Sequence, residues 1–276
     1  MKVGIIGLGL MGGSLALNLK NMDFVQSVHG YDHNVEHQKM AKILNIVDDI
    51  VPFEEILKMD VIILAIPVIA IQKILKDFIG VPTDTLIMDL GSTKEKIVSN
   101  IPSEIRKNFV AAHPMTGTEH SGPTAAIENL YADKVVVLCD LDNSGQLQQD
   151  LANKIFKNLN MNIKYMNATD HDRHAAFISH MPHIISYSLA STVLKQEKKK
   201  NILSLAAGGF KSMSRLAKSN PYMWEDIFRQ NPDNLLEAIE LFQDELENMK
   251  QDIKSKNWED LREKMLFSNN LQKIFK

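Results

Sequence analysis

The chain carries G-x-G-x-x-G as Gly7-Leu8-Gly9-Leu10-Met11-Gly12, directly after an apolar run from Lys2 to Leu8 and directly before a stretch with helical spacing from Ser14 to Asn21. Few short motifs restrict a fold so tightly. The first glycine permits a tight turn, the second lets backbone N–H groups approach a phosphate, and the third lets helix and strand pack closely. Strand, glycine loop and helix in that order predict a βαβ unit that binds a dinucleotide pyrophosphate, with Gly7, Gly9, Leu10, Met11 and Gly12 as its cradle. Ser27 to Tyr31 reads as the second strand and delivers Asp32 twenty residues after Gly12. A carboxylate there accepts hydrogen bonds from the adenosine ribose hydroxyls and repels a 2′-phosphate, so the expected cofactor is NAD.

Further short β-branched runs follow at Asp60 to Ile66, Thr85 to Asp89, Asn108 to Ala112, Lys134 to Cys139 and Asn162 to Tyr165. Several are apolar throughout, as strands covered on both faces are. Alternation with helical segments gives an α/β fold, a Rossmann-type doubly wound and mostly parallel sheet, over residues 1–166. From 167 to 276 only helical spacing remains, which predicts an all-α second domain. Within it Leu235, Ile239, Phe242, Leu246, Met249 and Ile253 step by 4, 3, 4, 3 and 4, a heptad seam suited to a second helix or a second subunit.

The 276 residues hold 31 Lys plus Arg against 34 Asp plus Glu, a net charge of −3, which gives no reason to expect a nucleic acid partner. The apolar stretch at 61–71 is interrupted by Pro67, and it falls well short of the ~20 residues that span a bilayer. The glycine loop accounts for the apolar N-terminus better than a signal peptide does. One cysteine, Cys139, offers neither a disulfide nor a thiolate cluster, so a reducing cytoplasm is the expected location.

In a doubly wound sheet the ligand crevice lies at the carboxyl ends of the strands. There the chain places Ser92, in Asp89-Leu90-Gly91-Ser92-Thr93-Lys94, and His113, in His113-Pro114-Met115-Thr116-Gly117-Thr118-Glu119. A histidine so placed can take a proton from a substrate hydroxyl while hydride leaves the same carbon, and Ser92 can share that hydroxyl or orient the nicotinamide. Six of the nine histidines fall between 113 and 183. His180 and His183 share a helix face, and Pro182 between them can bend that helix toward the crevice. A metal site is the rival reading; no Glu completes H-E-x-x-H and a single Cys gives no thiolate set, so no metal is expected. Lys211 and Arg215, after Gly208-Gly209, stand one helical turn apart and suit an anionic ligand, Arg215 by a bidentate grip.

These segments resemble the prephenate dehydrogenase family in order along nearly the whole chain: GLGLMGGS at 7–14, GYD at 30–32, DLGSTK at 89–94, HPMTGTEHSG at 113–122, DHD at 170–172, SHMPH at 179–183 and GGFKSMSR at 208–215. The resemblance implies oxidative decarboxylation of prephenate with NAD to 4-hydroxyphenylpyruvate, carbon dioxide and NADH, in tyrosine biosynthesis. It implies His113 as the catalytic histidine, Ser92 beside the nicotinamide and ring hydroxyl, and Arg215 as a substrate ligand. Glu119, His180, His183 and Lys211 are implied to line or gate the pocket. It also implies a homodimer formed through the helical domain. Because the sequence ends at Lys276, a monofunctional enzyme is expected. The family often carries Asp-x-Thr before the substrate Arg; here Ser212-Met213-Ser214 keeps a hydroxyl and loses the acid.

The alternatives are an arogenate dehydrogenase, whose substrate has an amino group in place of the keto group, and a β-hydroxyacid dehydrogenase, in which Lys211 would serve as the acid-base group. A dinucleotide-sensing dimer without catalysis would leave His113 and Arg215 idle. HPMTGTE argues against the β-hydroxyacid dehydrogenase, and SHMPH with the Lys211 and Arg215 pair favours prephenate over arogenate.

Overall fold

The structure is a computed structural model that describes residues 1–196 and 198–274. By compactness the chain divides into Met1–Asn231 and Pro232–Lys276. The first unit is built on eight strands: β1 (Lys2–Ile6), β2 (Ser27–Tyr31), β3 (Asp49–Ile50), β4 (Val61–Leu64), β5 (Leu86–Asp89), β6 (Phe109–Pro114), β7 (Val135–Cys139) and β8 (Asn162–Met166). They form one sheet in the order β3-β2-β1-β4-β5-β6-β7-β8. All neighbours are parallel except β6 with β7, where Ala111 faces Cys139 and Pro114 faces Val136. The expectation of a mostly parallel, doubly wound sheet holds, and the antiparallel step is the one departure in direction.

The period of two along each strand sorts side chains onto two faces. Val3, Ile5, Val61, Ile63, Leu86, Met88, Val110 and Leu138 pack in one core with Leu15, Ala16 and Leu19 of α1 (Leu10–Leu19) and, after α2 (Val35–Ile43), α3 (Phe53–Ile56), α4 (Val68–Ile74) and α5 (Glu95–Ser99), with Ile155 and Phe156 of α6 (Gln146–Asn158). The alternate residues Ile62, Leu64, Ile87, Phe109, Val137 and Cys139 pack in a second core with Ile56, Ile71 and Ile97. Both faces are therefore covered, which is why the strands read as continuous apolar runs. Cys139 is buried in that core, and burial pushes its thiol up to about 12, so it stays a protonated hydrophobe.

After β8 come α7 (Ala168–Ala175), a π-helical turn at Ala176–His180, α8 (Met181–Leu194), α9 (Lys199–Ser204), α10 (Gly208–Met213) and α11 (Pro221–Gln230). Ala168, Trp224 and Ile227 pack into the second core, so the early helices beyond residue 167 complete the cover of the sheet. By contrast α8 is apolar on nearly every side, yet Ser186 is its one buried residue. The second unit holds α12 (Pro232–Ser255) and α13 (Trp258–Ser268), joined through Lys256 at φ 57° and tied by Lys264 Nζ to Asp252 Oδ2 at 2.5 Å. The heptad seam lies in α12; Leu246 and Ile253 are 56% and 54% exposed.

Candidate active site

The strand order reverses between β1 and β4, and the loops leaving those two strands meet there. Gly7 has φ +98°, and a Cβ on it would stand 2.4 Å from the Ala65 carbonyl oxygen just after β4. Gly12 is more constrained, since its Cβ would lie 1.9 Å from the Gly7 carbonyl oxygen. Gly9 differs from both: the atom nearest to its Cβ position is 4.0 Å away. Two glycines thus close the turn, and the middle one leaves open space beside the first N–H groups of α1, whose cap Gly9 offers no side-chain partner. Such a gap, which any side chain would fill, fits a pyrophosphate. Asp32 lies just beyond β2 and is buried; its carboxylate accepts from Leu8 N–H at 2.9 Å and Asn34 N–H at 2.9 Å, with His37 Nδ1 at 3.3 Å. The carboxylate is locked to the glycine loop and so holds a fixed position at the end of β2.

His113 was expected just past a strand end. It lies instead inside β6, opposite Val137, because the antiparallel β7 extends the ladder through Pro114. The imidazole is buried, and its Nδ1 is 2.8 Å from His171 Nε2. His171 Nδ1 is in turn 2.8 Å from Asp172 Oδ1. Asp172 also accepts the backbone N–H of Lys94 at 2.7 Å and of Glu95 at 2.9 Å. Desolvation, aided by the nearby His171, Lys94 and His180, holds His113 well below its ordinary value, so the ring is neutral at pH 7. Beneath it the Lys94 ammonium is paired with the buried Asp89 and donates to Ala112 O at 2.8 Å. Burial pushes the Asp89 carboxyl up, opposed by Lys94 and the Gly91 N–H. Ser92 sits half-buried in the turn between that acid and α5.

His180 ends the π-helical turn, and Pro182 lies in the first turn of α8. The bend expected at Pro182 is thus preceded by a local widening of the helix, a device common at functional sites. His180 is buried; desolvation lowers it to about 4 against the pull of Asp172, and Asn231 Nδ2 approaches its Nδ1 at 3.3 Å. His183 stacks on Trp224 with ring centroids 3.4 Å apart, and its Nδ1 donates to Ser179 O at 2.9 Å, leaving Nε2 as an acceptor. Burial and then Arg215 bear on its charge, lowering it against the Ser179 bond. Arg215 is also within electrostatic reach of Glu119, whose carboxyl is held down first by its own backbone N–H and further by His120, Arg215 and Lys218.

His113, His180, His183, Arg215 and Glu119 thus lie, each to the next, within electrostatic reach. Lys211 is exposed on α10, and no hydrogen bond or ion pair joins it to the others among the described residues. The single helical face expected for Lys211 and Arg215 is broken. α10 stops at Met213, and Arg215 opens a separate 3₁₀ turn, Arg215–Lys218. Ser214 Oγ bonds back to Phe210 O at 2.7 Å, while buried Ser186 of α8 donates to Met213 O and accepts from Ala217 N–H across the break. Sequence reading did not assign roles to His171, Asp172, Lys94, Asp89 or Trp224. The DHD and DLGSTK segments were the available signal, two polar clusters that the fold buries against each other. No group of three His, Cys, Asp or Glu side chains converges to hold a metal among the described residues.

Two family models match consecutive parts of the chain: the prephenate dehydrogenase nucleotide-binding domain over residues 15–165 and the prephenate dehydrogenase dimerization domain over 167–267. The chain is 30% identical over 266 residues to the prephenate dehydrogenase of Bacillus subtilis, covering 93% of this chain and 71% of that one. It is 31% identical over 271 residues to the cyclohexadienyl dehydrogenase of Zymomonas mobilis, covering 95% and 91%. Among solved structures, prephenate dehydrogenase from Aquifex aeolicus in complex with hydroxyphenyl propionate and NAD+ superposes with a TM-score of 0.93 at 31% identity, covering 100% of this chain and 98% of that one. With both models, and relatives matched over 93% or more of this chain, in agreement with the sheet, the glycine loop and the helices that follow, the chain belongs to the prephenate dehydrogenase family.

Proposed function

We propose that this protein oxidises and decarboxylates prephenate with NAD, giving 4-hydroxyphenylpyruvate, carbon dioxide and NADH. The observation that carries the reading is the buried, neutral His113 imidazole beside the Ser92 turn, in the same unit as the open glycine cradle and Asp32. Residues 1–166 would bind the cofactor through Gly7, Gly9, Leu10, Met11, Gly12 and Asp32, and residues 167–276 would supply substrate contacts and the dimer interface.

Bound NAD would accept the hydride from ring carbon C4. His113 takes the C4 hydroxyl proton as that hydride leaves. Loss of the ring carboxylate as carbon dioxide then delivers an electron pair to the ring, and His113 returns its proton to the oxygen of the new phenol. The overall reaction releases no proton, so a histidine that accepts and gives back is sufficient. Ser92 shares the hydroxyl hydrogen bond. Arg215, with Lys211, meets the carboxylates of the dianion, and His180, His183 and Glu119 line the entrance. A strong ground-state grip on the departing carboxylate would oppose its conversion to a neutral molecule, so Arg215 serves best on the side-chain carboxylate.

The exposed apolar residues of α12 and the half-buried apolar residues of α8, together with the match to a dimerization domain, support a homodimer. A single buried thiol supports a cytoplasmic home; no helix of the described residues is long and apolar enough to cross a membrane. Because one relative is a cyclohexadienyl dehydrogenase, arogenate is the second substrate to try. Purified protein is mixed with prephenate or arogenate, crossed with NAD or NADP, and absorbance of the reduced cofactor is followed. Prephenate with NAD should give the highest kcat/KM; faster turnover with arogenate or NADP would replace that choice.

A further inference from the structure

We infer that His171 and Asp172 are positioning residues that fix His113 with its proton on Nδ1 and its lone pair on Nε2, and that His171 takes over the positive charge when His113 accepts the substrate proton. This rests on the reading of His113 as the base. It goes beyond it by naming what makes that imidazole a base rather than a donor.

With Asp172 as the carboxylate and His171 neutral, the contacts leave one arrangement of protons. Asp172 Oδ1 receives the Lys94 N–H and Oδ2 the Glu95 N–H, one fixed donor on each carboxylate oxygen. The third contact, His171 Nδ1 at 2.8 Å from Oδ1, is then an N–H donating to the carboxylate. A neutral His171 with hydrogen on Nδ1 has a lone pair on Nε2. Its partner at 2.8 Å is His113 Nδ1, which must carry the hydrogen. His113 Nε2 is left bare for a substrate hydroxyl. Free histidine side chains favour the opposite tautomer, with hydrogen on Nε2, so the two partners convert a poor acceptor into a good one.

The same bonds carry the proton onward. When His113 Nε2 gains the hydroxyl proton, its Nδ1 proton can cross to His171 Nε2, which leaves His113 neutral and an imidazolium facing ionised Asp172. Returning the proton to the phenol oxygen reverses both moves. The transferred charge is thereby placed against a carboxylate rather than beside the Lys94 ammonium and the His180 ring that face His113. All three members are buried: His113 is 9%, His171 3% and Asp172 1% exposed. The Asp172 backbone is fixed as well, since its carbonyl accepts from Asn231 Nδ2 at 2.6 Å.

The test uses full-length protein. His171→Phe removes the acceptor for His113 Nδ1–H and should lower kcat by about 10²-fold, with KM for prephenate and NAD changed less than about threefold. His171→Gln keeps an acceptor oxygen but cannot carry the proton, and should regain about tenfold of that loss. Adding His171→Phe to His113→Asn should cost nothing more. A His171→Phe enzyme with wild-type kcat, or a full additive loss in the double variant, overturns the relay. Failure of the base reading looks different, because His113→Asn alone would then keep its kcat. If His171→Phe does not fold, imidazole 15N spectra of the wild-type protein decide, with the His113 signals assigned by their absence in His113→Asn. Hydrogen on Nδ1 at neutral pH supports the arrangement, and hydrogen on Nε2 overturns it.

Discussion

The two halves of the site are built in different ways. The proposed cofactor cradle is made of backbone: Gly7, Gly9 and Gly12 lie within six residues, and a Cβ on each would strike the backbone or fill the gap. The proposed acid-base centre joins side chains from β6 and α7 to backbone N–H groups at the start of α5, so that His113 meets His171 58 residues away and the Asp172 carboxylate accepts N–H groups 78 and 77 residues away. A backbone device can be written contiguously in the sequence. A side-chain device exists only once the sheet and the helix packed on it have formed, and its stability and its chemistry are therefore coupled.

That contrast implies the largest stability cost in the side-chain half. Lys94→Met should leave Asp89 buried and uncompensated and cost about 3–5 kcal/mol, read as a lowered urea midpoint. A variant of wild-type stability would mean that the pair does not hold the floor beneath His113. Next in size is acid sensitivity. His180 sits at about 4 in the folded protein against 6.5 when exposed, so the unfolded chain binds a proton below pH 6.5 that the folded chain refuses. Stability is full above that value and declines as the pH falls toward 4, by roughly 3 kcal/mol for this group alone. In His180→Gln the decline between pH 6.5 and 4 should be visibly shallower, and an unchanged slope would remove His180 as its source.

In the backbone half the effects separate cleanly between fold and ligand. Gly12→Ala drives a Cβ into the Gly7 carbonyl and should cost on the order of 2 kcal/mol of stability. Gly9→Ala meets nothing in the protein and should leave the melting temperature unchanged while weakening NAD at least about tenfold, roughly 1.4 kcal/mol. Equal NAD affinity in Gly9→Ala would show that the cradle lies elsewhere.

The same contrast explains what could be read in advance. The glycine loop, Asp32 and seven of the strands are local patterns, and the strand runs proposed from periodicity overlap those observed. The two-residue β3 has too little sequence to show a period. The antiparallel direction of β7 is not encoded in its own Val-Val-Val-Leu-Cys run, because an apolar strand reads the same in either direction. Strand direction in turn moved His113 from a strand end to a strand interior. His113, His180, His183 and Arg215 stood out as polar residues near turns, and Glu119 was implied by the family resemblance alone. The role of His171 was not, since Asp170-His171-Asp172 reads as an ordinary polar helix start until Asp172 is seen accepting N–H groups from the other side of the site. The break between Lys211 and Arg215 depends on Ser186, a buried hydroxyl from a different helix that no spacing rule in residues 208–215 could reveal.

The central claim is that a buried, neutral His113 is the group that accepts the proton while hydride leaves. It is tested most directly by the steady-state kcat of His113→Asn with saturating prephenate and NAD. The substitution should lower kcat by about 10²-fold or more with little change in KM for either substrate. A normal kcat, or a loss confined to KM, would contradict it.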